Sequence, residues 1–114
     1  MAVGIPASEA LPLDSLIAPI EQGIASRVLA KSSGGTVTLF AFGAGDGLSE
    51  HTAPFDAMVV VLDGALQLTI GGRAVDADAG SVVRMPAGIA HAVDSKVASR
   101  MLLIMLKEPD RAAV

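Results

Sequence analysis

The stretch GDGLSEHTAPFDAMVVVLDG, residues 45–64, decides the fold of this chain. It begins with closely spaced glycines, carries His51, the first of two histidines, and passes through Pro54 into the apolar run 57–62. A short, continuous β-branched run is typical of a buried strand. The Asp63-Gly64 pair that follows it is a signal for a tight hairpin turn. We therefore expect two core strands that follow a bend presenting His51.

Short strands separated by turns continue on both sides of this stretch. Alternation of apolar residues, interrupted by glycine, proline and serine, predicts strands at 24–30, 36–42, 48–52, 57–62, 65–70, 73–75, 81–85, 89–94 and 98–106. In the fifth of these, Leu66, Leu68 and Ile70 should face inward, because side chains alternate between the two faces of a strand. The segment 76–80, with two aspartates and a glycine, is predicted to be a turn. This spacing of strands indicates an all-β sandwich or barrel with little helix.

The two ends of the chain differ from this pattern. Residues 1–23 contain two early prolines and scattered large apolar side chains, so we expect an extended arm that packs on the barrel or on a partner subunit. Asp14 is placed to cap one short helical turn within it. Residues 24–107 form the single barrel domain, and residues 108–114 a short frayed tail.

The composition predicts self-association. Hydrophobic residues make up 52% of the chain and charged residues only 18%, so a monomer has too few polar side chains to cover its apolar surface. The segment 101–106, MLLIML, has no polar face and should be covered on both sides. One side is expected to face the core and the other a subunit interface, which predicts a homodimer.

Other classes of partner are disfavoured. The net charge of −4 and the presence of only three aromatic residues argue against nucleic-acid binding. Apolar runs are far shorter than the 18 residues that a membrane helix needs, so no membrane partner is expected. Residues 1–20 contain no lysine or arginine and do not resemble a secretory signal, which predicts a cytoplasmic protein.

A second motif, GSVVRMPAGIAHAVDS at residues 80–95, also combines glycine and proline with a histidine. It spaces Gly80, Pro86, Gly88 and His91 as the second motif of the cupin superfamily does, with Ser95 at that motif's asparagine position. The first stretch has the spacing of the first cupin motif. Residues 36–106 therefore resemble a small, single-domain, RmlC-like cupin. The resemblance implies a double-stranded β-helix or jelly-roll barrel, usually dimeric, whose pocket holds a divalent metal on three histidines and a glutamate.

Two of those ligand positions carry alanine in this chain, Ala53 for a histidine and Ala57 for the glutamate. Two imidazoles alone fall short of the three protein ligands typical of catalytic zinc or non-haem iron. We therefore expect no cofactor. Any divalent metal, whether zinc, nickel, iron or manganese, would be held weakly by His51 and His91. Asp56 is adjacent to the empty glutamate position, but neighbouring residues on a strand face opposite ways.

Three functions follow as hypotheses. The first is binding of a small organic ligand in a pocket lined by His51, Ala53, Phe55, Ala57, Val59 and His91. The second is a metal-dependent enzyme of the isomerase or dioxygenase kind, with His51 and His91 as ligands and Asp56 as third ligand or base. The third is a regulatory or interaction module whose arm binds a partner. These residues leave open whether the protein is an enzyme; His51, His91 and Asp56 are the candidate catalytic residues.

Overall fold

The computed structural model describes residues 4–107 of the chain. It contains one four-residue helix and nine strands: α1 (Leu13–Leu16), β1 (Ile24–Ser32), β2 (Gly35–Phe42), β3 (Gly47–His51), β4 (Asp56–Asp63), β5 (Ala65–Ile70), β6 (Arg73–Asp78), β7 (Val82–Met85), β8 (His91–Ser95) and β9 (Ser99–Leu106). Among these residues no helix is long and apolar enough to cross a membrane. The predicted tail, 108–114, lies outside the described residues.

The strands form two antiparallel sheets packed face to face. One has the order β1-β2-β9-β4-β7 and the other β3-β8-β5-β6. Most neighbours are far apart in sequence, as in β2 with β9 and β3 with β8, so the chain moves repeatedly between the sheets. This arrangement confirms the predicted all-β jelly roll.

The core lies between the two sheets and is built from inward side chains of β2 and of β4 to β9. Leu66 and Leu68 are buried there and Ile70 packs at its edge, as the alternation of β5 predicts. The fully or nearly buried set comprises Phe42, Ala57, Val59, Val61, Leu66, Leu68, Ala77, Met85, Val93, Met101 and Leu103. Burial of apolar area on this scale is the main stabilising contribution to such a domain.

Two turns predicted from the sequence are different in the structure. Asp63-Gly64 is not a hairpin, because β4 and β5 belong to different sheets and Gly64 is the corner between them. Residues 76–78 lie in β6 and not in a turn, since Ala77 points into the core opposite Leu66 and is only 1% exposed. The two flanking aspartates then face solvent, as strand alternation requires.

The arm lies against the outer face of the five-stranded sheet. Ile17 is buried with Leu39 and Ala41, and Leu13 and Leu16 pack beside them. Arg100 from β9 holds the arm. Its guanidinium, 8% exposed as a residue, donates to the Ile17 carbonyl at 3.0 Å and pairs with the Asp14 and Asp63 carboxylates at 2.5 and 2.6 Å.

Asp14 therefore binds Arg100 and caps no backbone group of α1. The helix begins after Pro12, and its N-cap position has no side-chain hydrogen bond. Asp63, and secondly Asp14, raise the pKa of Arg100 above its ordinary value by hydrogen bonding to its charged form. Through these ion pairs Arg100 links Asp14 of the arm to Asp63 of the barrel.

Candidate functional site

The two histidines meet at one end of the barrel. His51 is the last residue of β3 and His91 the first of β8, and the two pair directly across the strands. Their Nε2 atoms are 3.1 Å apart, and the rings meet edge to face with centroids 4.4 Å apart. Residues 40 positions apart in sequence are thus brought into hydrogen-bonding contact.

Short-range contacts hold the two motifs together around this pair. Gly88, with φ of +76°, donates its N–H to the Ala53 carbonyl at 2.8 Å, so the turn before His91 is tied to the segment after His51. Gly47 lies opposite Asp94, and a Cβ at Gly47 would overlap the Val93 carbonyl. Glycine at position 47 allows β3 and β8 to approach closely, which the sequence spacing alone does not reveal.

Each imidazole is anchored through its other nitrogen. His51 Nδ1 lies 2.7 Å from the Ser49 carbonyl, and His91 Nδ1 lies 3.2 Å from the Ile89 carbonyl. The contact between the two rings is the third contact of the pair, and each of the three requires one N–H donor. Two neutral imidazoles have only two N–H groups in total. When both Nδ1 atoms donate to their carbonyls, both Nε2 atoms are bare acceptors that face each other.

Burial keeps His91 neutral. His91 is only 4% exposed, whereas His51 is exposed. Burial lowers the pKa of His91 below its ordinary value of 6.5, and the nearby His51 acts in the same direction. The hydrogen bond to the Ile89 carbonyl opposes the shift, but burial is the larger effect. With both rings neutral, the pair has one N–H fewer than its three contacts require.

A cavity of about 270 Å³ opens beside the histidine pair. It enters the barrel between the two sheets and is lined mainly by apolar side chains. The lining residues are Leu48, His51, Thr52, Ala53, Pro54, Phe55, Ala57, Met85, His91, Val93, Met101, Leu103 and Met105. A second cavity of the same volume lies at the β1–β2 turn, but it is an open groove that neither histidine lines.

Most of the predicted pocket residues lie around this cavity. His51, Ala53, Phe55, Ala57 and His91 line it, whereas Val59 is completely buried in the core between the sheets. The structure does not bring Asp56 to the histidines. Its carboxylate accepts a hydrogen bond from the Ala87 N–H at 2.8 Å and pairs with Arg84 at 3.2 Å.

The sequence reasoning missed the contribution of β9. Met101, Leu103 and Met105 line the cavity from the inward face of that strand, as do Met85 and Val93 from β7 and β8. Because every residue of 101–106 is apolar, the sequence does not show which face of this strand points inward. Its position next to the histidines depends on the pairing of β9 with β2 and β4, which no local pattern records.

The donor set does not fit the four-ligand metal centre that the sequence motif implies. Among residues 4–107 no group of three or more histidine, cysteine, aspartate or glutamate side chains is close enough to hold a metal ion. Ala53 and Ala57 line the cavity with methyl groups where such a centre needs ligands. Only the two Nε2 atoms remain as donors, fewer than the three protein ligands of a typical catalytic site.

Comparisons with known proteins agree with the fold. A family model for the cupin domain matches residues 38–106. A comparison with curated proteins returns no match. The chain is similar to a conserved protein of unknown function from Streptococcus pyogenes, at 29% identity and a TM-score of 0.87, with 96% of each chain covered.

Two further solved structures extend this picture. A cupin superfamily protein from Desulfitobacterium hafniense is 30% identical, with a TM-score of 0.84 over 95% of this chain and 99% of that one. A salicylate 1,2-dioxygenase from Pseudoaminobacter salicylatoxidans is 11% identical, with a TM-score of 0.68 over 73% of this chain and 25% of that one. At that identity the likeness to the dioxygenase shows the fold alone.

Proposed function

The chain belongs to the cupin family, and from that premise we propose that it binds a small organic ligand in the barrel, without a full metal centre. One observation carries the proposal. The two convergent Nε2 atoms lie at an apolar cavity of about 270 Å³. A concave apolar site with a few convergent polar groups is the usual form of a small-molecule pocket. His51, Ala53, Phe55, Ala57 and His91 are the proposed contact residues.

The sequence of the pocket supports binding more than metal chemistry. A catalytic metal is normally held by at least three protein ligands, and alanine occupies two of the four family positions here. We propose no resident cofactor. Asp56 is engaged by the Ala87 N–H and by Arg84, which argues against a role as third ligand or general base.

A thermal-shift screen tests the binding proposal. A ligand that binds only the folded protein raises the melting temperature in proportion to the logarithm of its concentration above Kd. Hits from a metabolite panel should stabilise the wild type and should stabilise His51→Ala less, because the variant lacks one proposed ligand contact. His51 is exposed, so its removal should leave the fold intact. Arg73→Gln, on an exposed position of β6, is the matched control and should behave as the wild type. A panel without any stabilising compound would argue against the proposal.

A second candidate function is a metal-dependent enzyme of the isomerase or dioxygenase kind. One observation favours it: both imidazoles are oriented by a backbone carbonyl at Nδ1 and present Nε2, as metal-binding histidines usually are. Elemental analysis of protein purified without a nickel column separates the candidates. Near-stoichiometric zinc, iron, nickel or manganese that disappears in His51→Ala would support the enzyme. Metal-free, folded protein that still binds a ligand would support the first proposal.

The arm is not proposed as a partner-binding segment. Its large apolar side chains, among them Leu13, Leu16 and Ile17, already pack on the barrel of the same chain. A cytoplasmic location stays a prediction. We also propose a homodimer, formed by the part of the outer sheet face that the arm leaves uncovered.

That uncovered face has an apolar centre. Ile104 on β9 pairs with Val37 on β2 and with Met58 on β4, and the next row on β4 and β7 contains Val60 and Val82. Val82 is 57% exposed. A contiguous apolar sheet face of this kind is typical of a protein–protein contact.

A further inference from the structure

The polar side chains of the pocket set the chemistry of its ligand. Of the thirteen lining residues, only His51, Thr52 and His91 have nitrogen or oxygen in their side chains. Among residues 4–107, no lysine, arginine or carboxylate lines the cavity. The hydrogen-bonding character of this part of the site therefore depends on two imidazole rings and one hydroxyl.

The anchoring of Nδ1 makes the two Nε2 atoms acceptors. The Ser49 and Ile89 carbonyls have no hydrogen to donate, so each contact requires the proton to be on Nδ1 of the histidine. Two neutral imidazoles that keep both contacts direct two lone pairs toward each other across 3.1 Å. Such an arrangement is unfavourable until a donor approaches, because the two lone pairs repel each other and an acceptor of the buried His91 without a partner costs free energy.

We propose that the ligand is a neutral amphipathic molecule whose polar head is a hydrogen-bond donor, a hydroxyl or an uncharged amine, and whose body is apolar. This inference rests on the proposed function and specifies its ligand. The head donates a hydrogen bond to an Nε2 atom of the histidine pair, so that the two lone pairs no longer face each other without a donor. The body lies among Phe55, Met85, Met101 and Met105, deeper in the cavity.

Anions and pure acceptors do not suit this site. A carboxylate head would lie beside two acceptor nitrogens with no cation among the lining residues of the described range 4–107, and an unpaired buried charge is costly. Lys107 does not line the cavity; its Nζ lies over the ring of the lining residue Phe55, 5.7 Å from the centroid. An ether or ketone head has lone pairs only, so it cannot donate to either Nε2 and has the Thr52 hydroxyl as its one side-chain donor among the lining residues.

The cavity also limits the size of the ligand. A water molecule has a share of about 30 Å³ in the liquid, so 270 Å³ has room for roughly nine waters. A molecule with about ten non-hydrogen atoms fills such a space. Methionine lines it at three positions, and flexible thioether side chains adapt to apolar bodies of different shape.

Three probes with one body test the donor requirement. Benzyl alcohol has a hydroxyl donor, benzyl methyl ether keeps the ring and oxygen without the donor, and benzoate replaces the head with an anion. Each is titrated into the full chain at pH 8 and followed by the methyl resonances of the pocket methionines. Benzyl alcohol is expected to bind about tenfold more tightly than the ether, a typical effect of one satisfied hydrogen bond, and more tightly than benzoate.

A variant assigns the preference to the histidine pair. His51→Leu combined with His91→Leu removes both acceptors, so the alcohol should lose its advantage over the ether, and retained ether binding shows that the double variant keeps its pocket. Arg73→Gln should leave both affinities unchanged. If the ether or benzoate binds wild type as tightly as the alcohol, the donor requirement is wrong and small-molecule binding still stands. If no probe shifts the pocket methyl resonances at tens of millimolar, the inference and the binding proposal are both contradicted.

Discussion

Alanine at positions 53 and 57 determines what the two histidines can hold. Both methyl groups line the cavity, and both stand where the family motif has a ligand. The two imidazoles are otherwise oriented as metal-binding histidines usually are, with each Nδ1 in contact with a backbone carbonyl and the Nε2 atoms 3.1 Å apart. Under the proposed function, these two side chains separate an organic-ligand pocket from a metal centre.

Ala53→His is predicted to create metal affinity. A third imidazole beside His51 and His91 would supply the three protein ligands that a divalent ion normally needs. Nickel or zinc binding, measured by calorimetry, should become at least about tenfold tighter than in the wild type. Ala74→His, on an exposed position of β6, is the control and should not change affinity. Equal affinity in the Ala53 and Ala74 variants would show that position 53 does not face the pair.

His91 is predicted to make stability depend on pH. Its pKa in the folded protein is below the ordinary 6.5, mainly because of burial. Between that lowered pKa and 6.5 the unfolded chain binds more protons than the folded one, so the free energy of unfolding falls as pH decreases through the window. The contribution is complete above pH 6.5, and its slope is at most about 1.4 kcal/mol per pH unit.

Urea unfolding of wild type and His91→Gln between pH 5 and 8 measures this contribution. The difference between the two curves should change with pH in this range, because carboxylate titration is common to both proteins. Titration of the His91 ring protons by NMR provides a check that does not depend on the variant. A folded-state pKa at or above 6.5 would contradict the prediction.

At the scale of elements, glycine positions were easier to predict than strand partners. Asp63-Gly64 correctly marks a sharp change of direction, and Gly64 has φ of +83°. The sequence pattern does not show that β5 leaves the sheet of β4 and pairs with β6 and β8. A local turn signal specifies backbone conformation, whereas the partner of a strand depends on burial across the whole barrel.

Gly64→Ala is predicted to be much more destabilising than Gly72→Ala. Both glycines have positive φ, +83° and +80°, so both substitutions have the same cost of about 1 kcal/mol for that conformation. A Cβ at Gly64 would also overlap the Ser99 hydroxyl and come within 2.6 Å of the Ala98 carbonyl, whereas nothing lies within 4 Å at Gly72. Thermal unfolding of both variants measures the difference. Equal losses would mean that the corner can shift without cost.

Arg100 is predicted to be the main polar link between the arm and the barrel. Arg100→Met leaves the Ile17 carbonyl, Asp14 and Asp63 without their donor. We expect a loss of about 2 kcal/mol, which is less than for a fully buried pair because both carboxylates are partly in water. Arg84→Met, which removes an exposed pair with Asp56, should cost less than about 1 kcal/mol. Similar losses in urea unfolding would contradict this assignment.

At the scale of the whole molecule, the sequence predicts the fold and the meeting of the histidines better than the extent of the cavity. Motif spacing predicts that His51 and His91 share one end of a jelly roll, and the structure places them in contact. The depth of the pocket comes from β9, whose partners β2 and β4 are distant in sequence. Such long-range pairing results from the combined burial of all strands and leaves no local signal.

The arm covers only part of the outer face of the five-stranded sheet. The arm covers Leu39 and Ala41 on this face, while the rows containing Ile104 and Val82 remain without cover from it. Water contact with such apolar area costs roughly 25 cal/mol per Å², so association with a second copy through this face should stabilise the protein. Sedimentation velocity at tens of micromolar should therefore show a dimer.

Charge introduced into this face should separate the subunits. Ile104→Lys, at its centre, and Val82→Lys, at its edge, are expected to shift the protein to monomer while the barrel stays folded, because both positions point away from the core. Val97→Lys is the matched control, since Val97 is 50% exposed in the turn before β9 and Val82 is 57% exposed. A wild-type monomer would overturn the dimer. A dimer that survives both lysines would assign the contact to another face, because a buried, unpaired ammonium is not tolerated at the centre of an apolar interface.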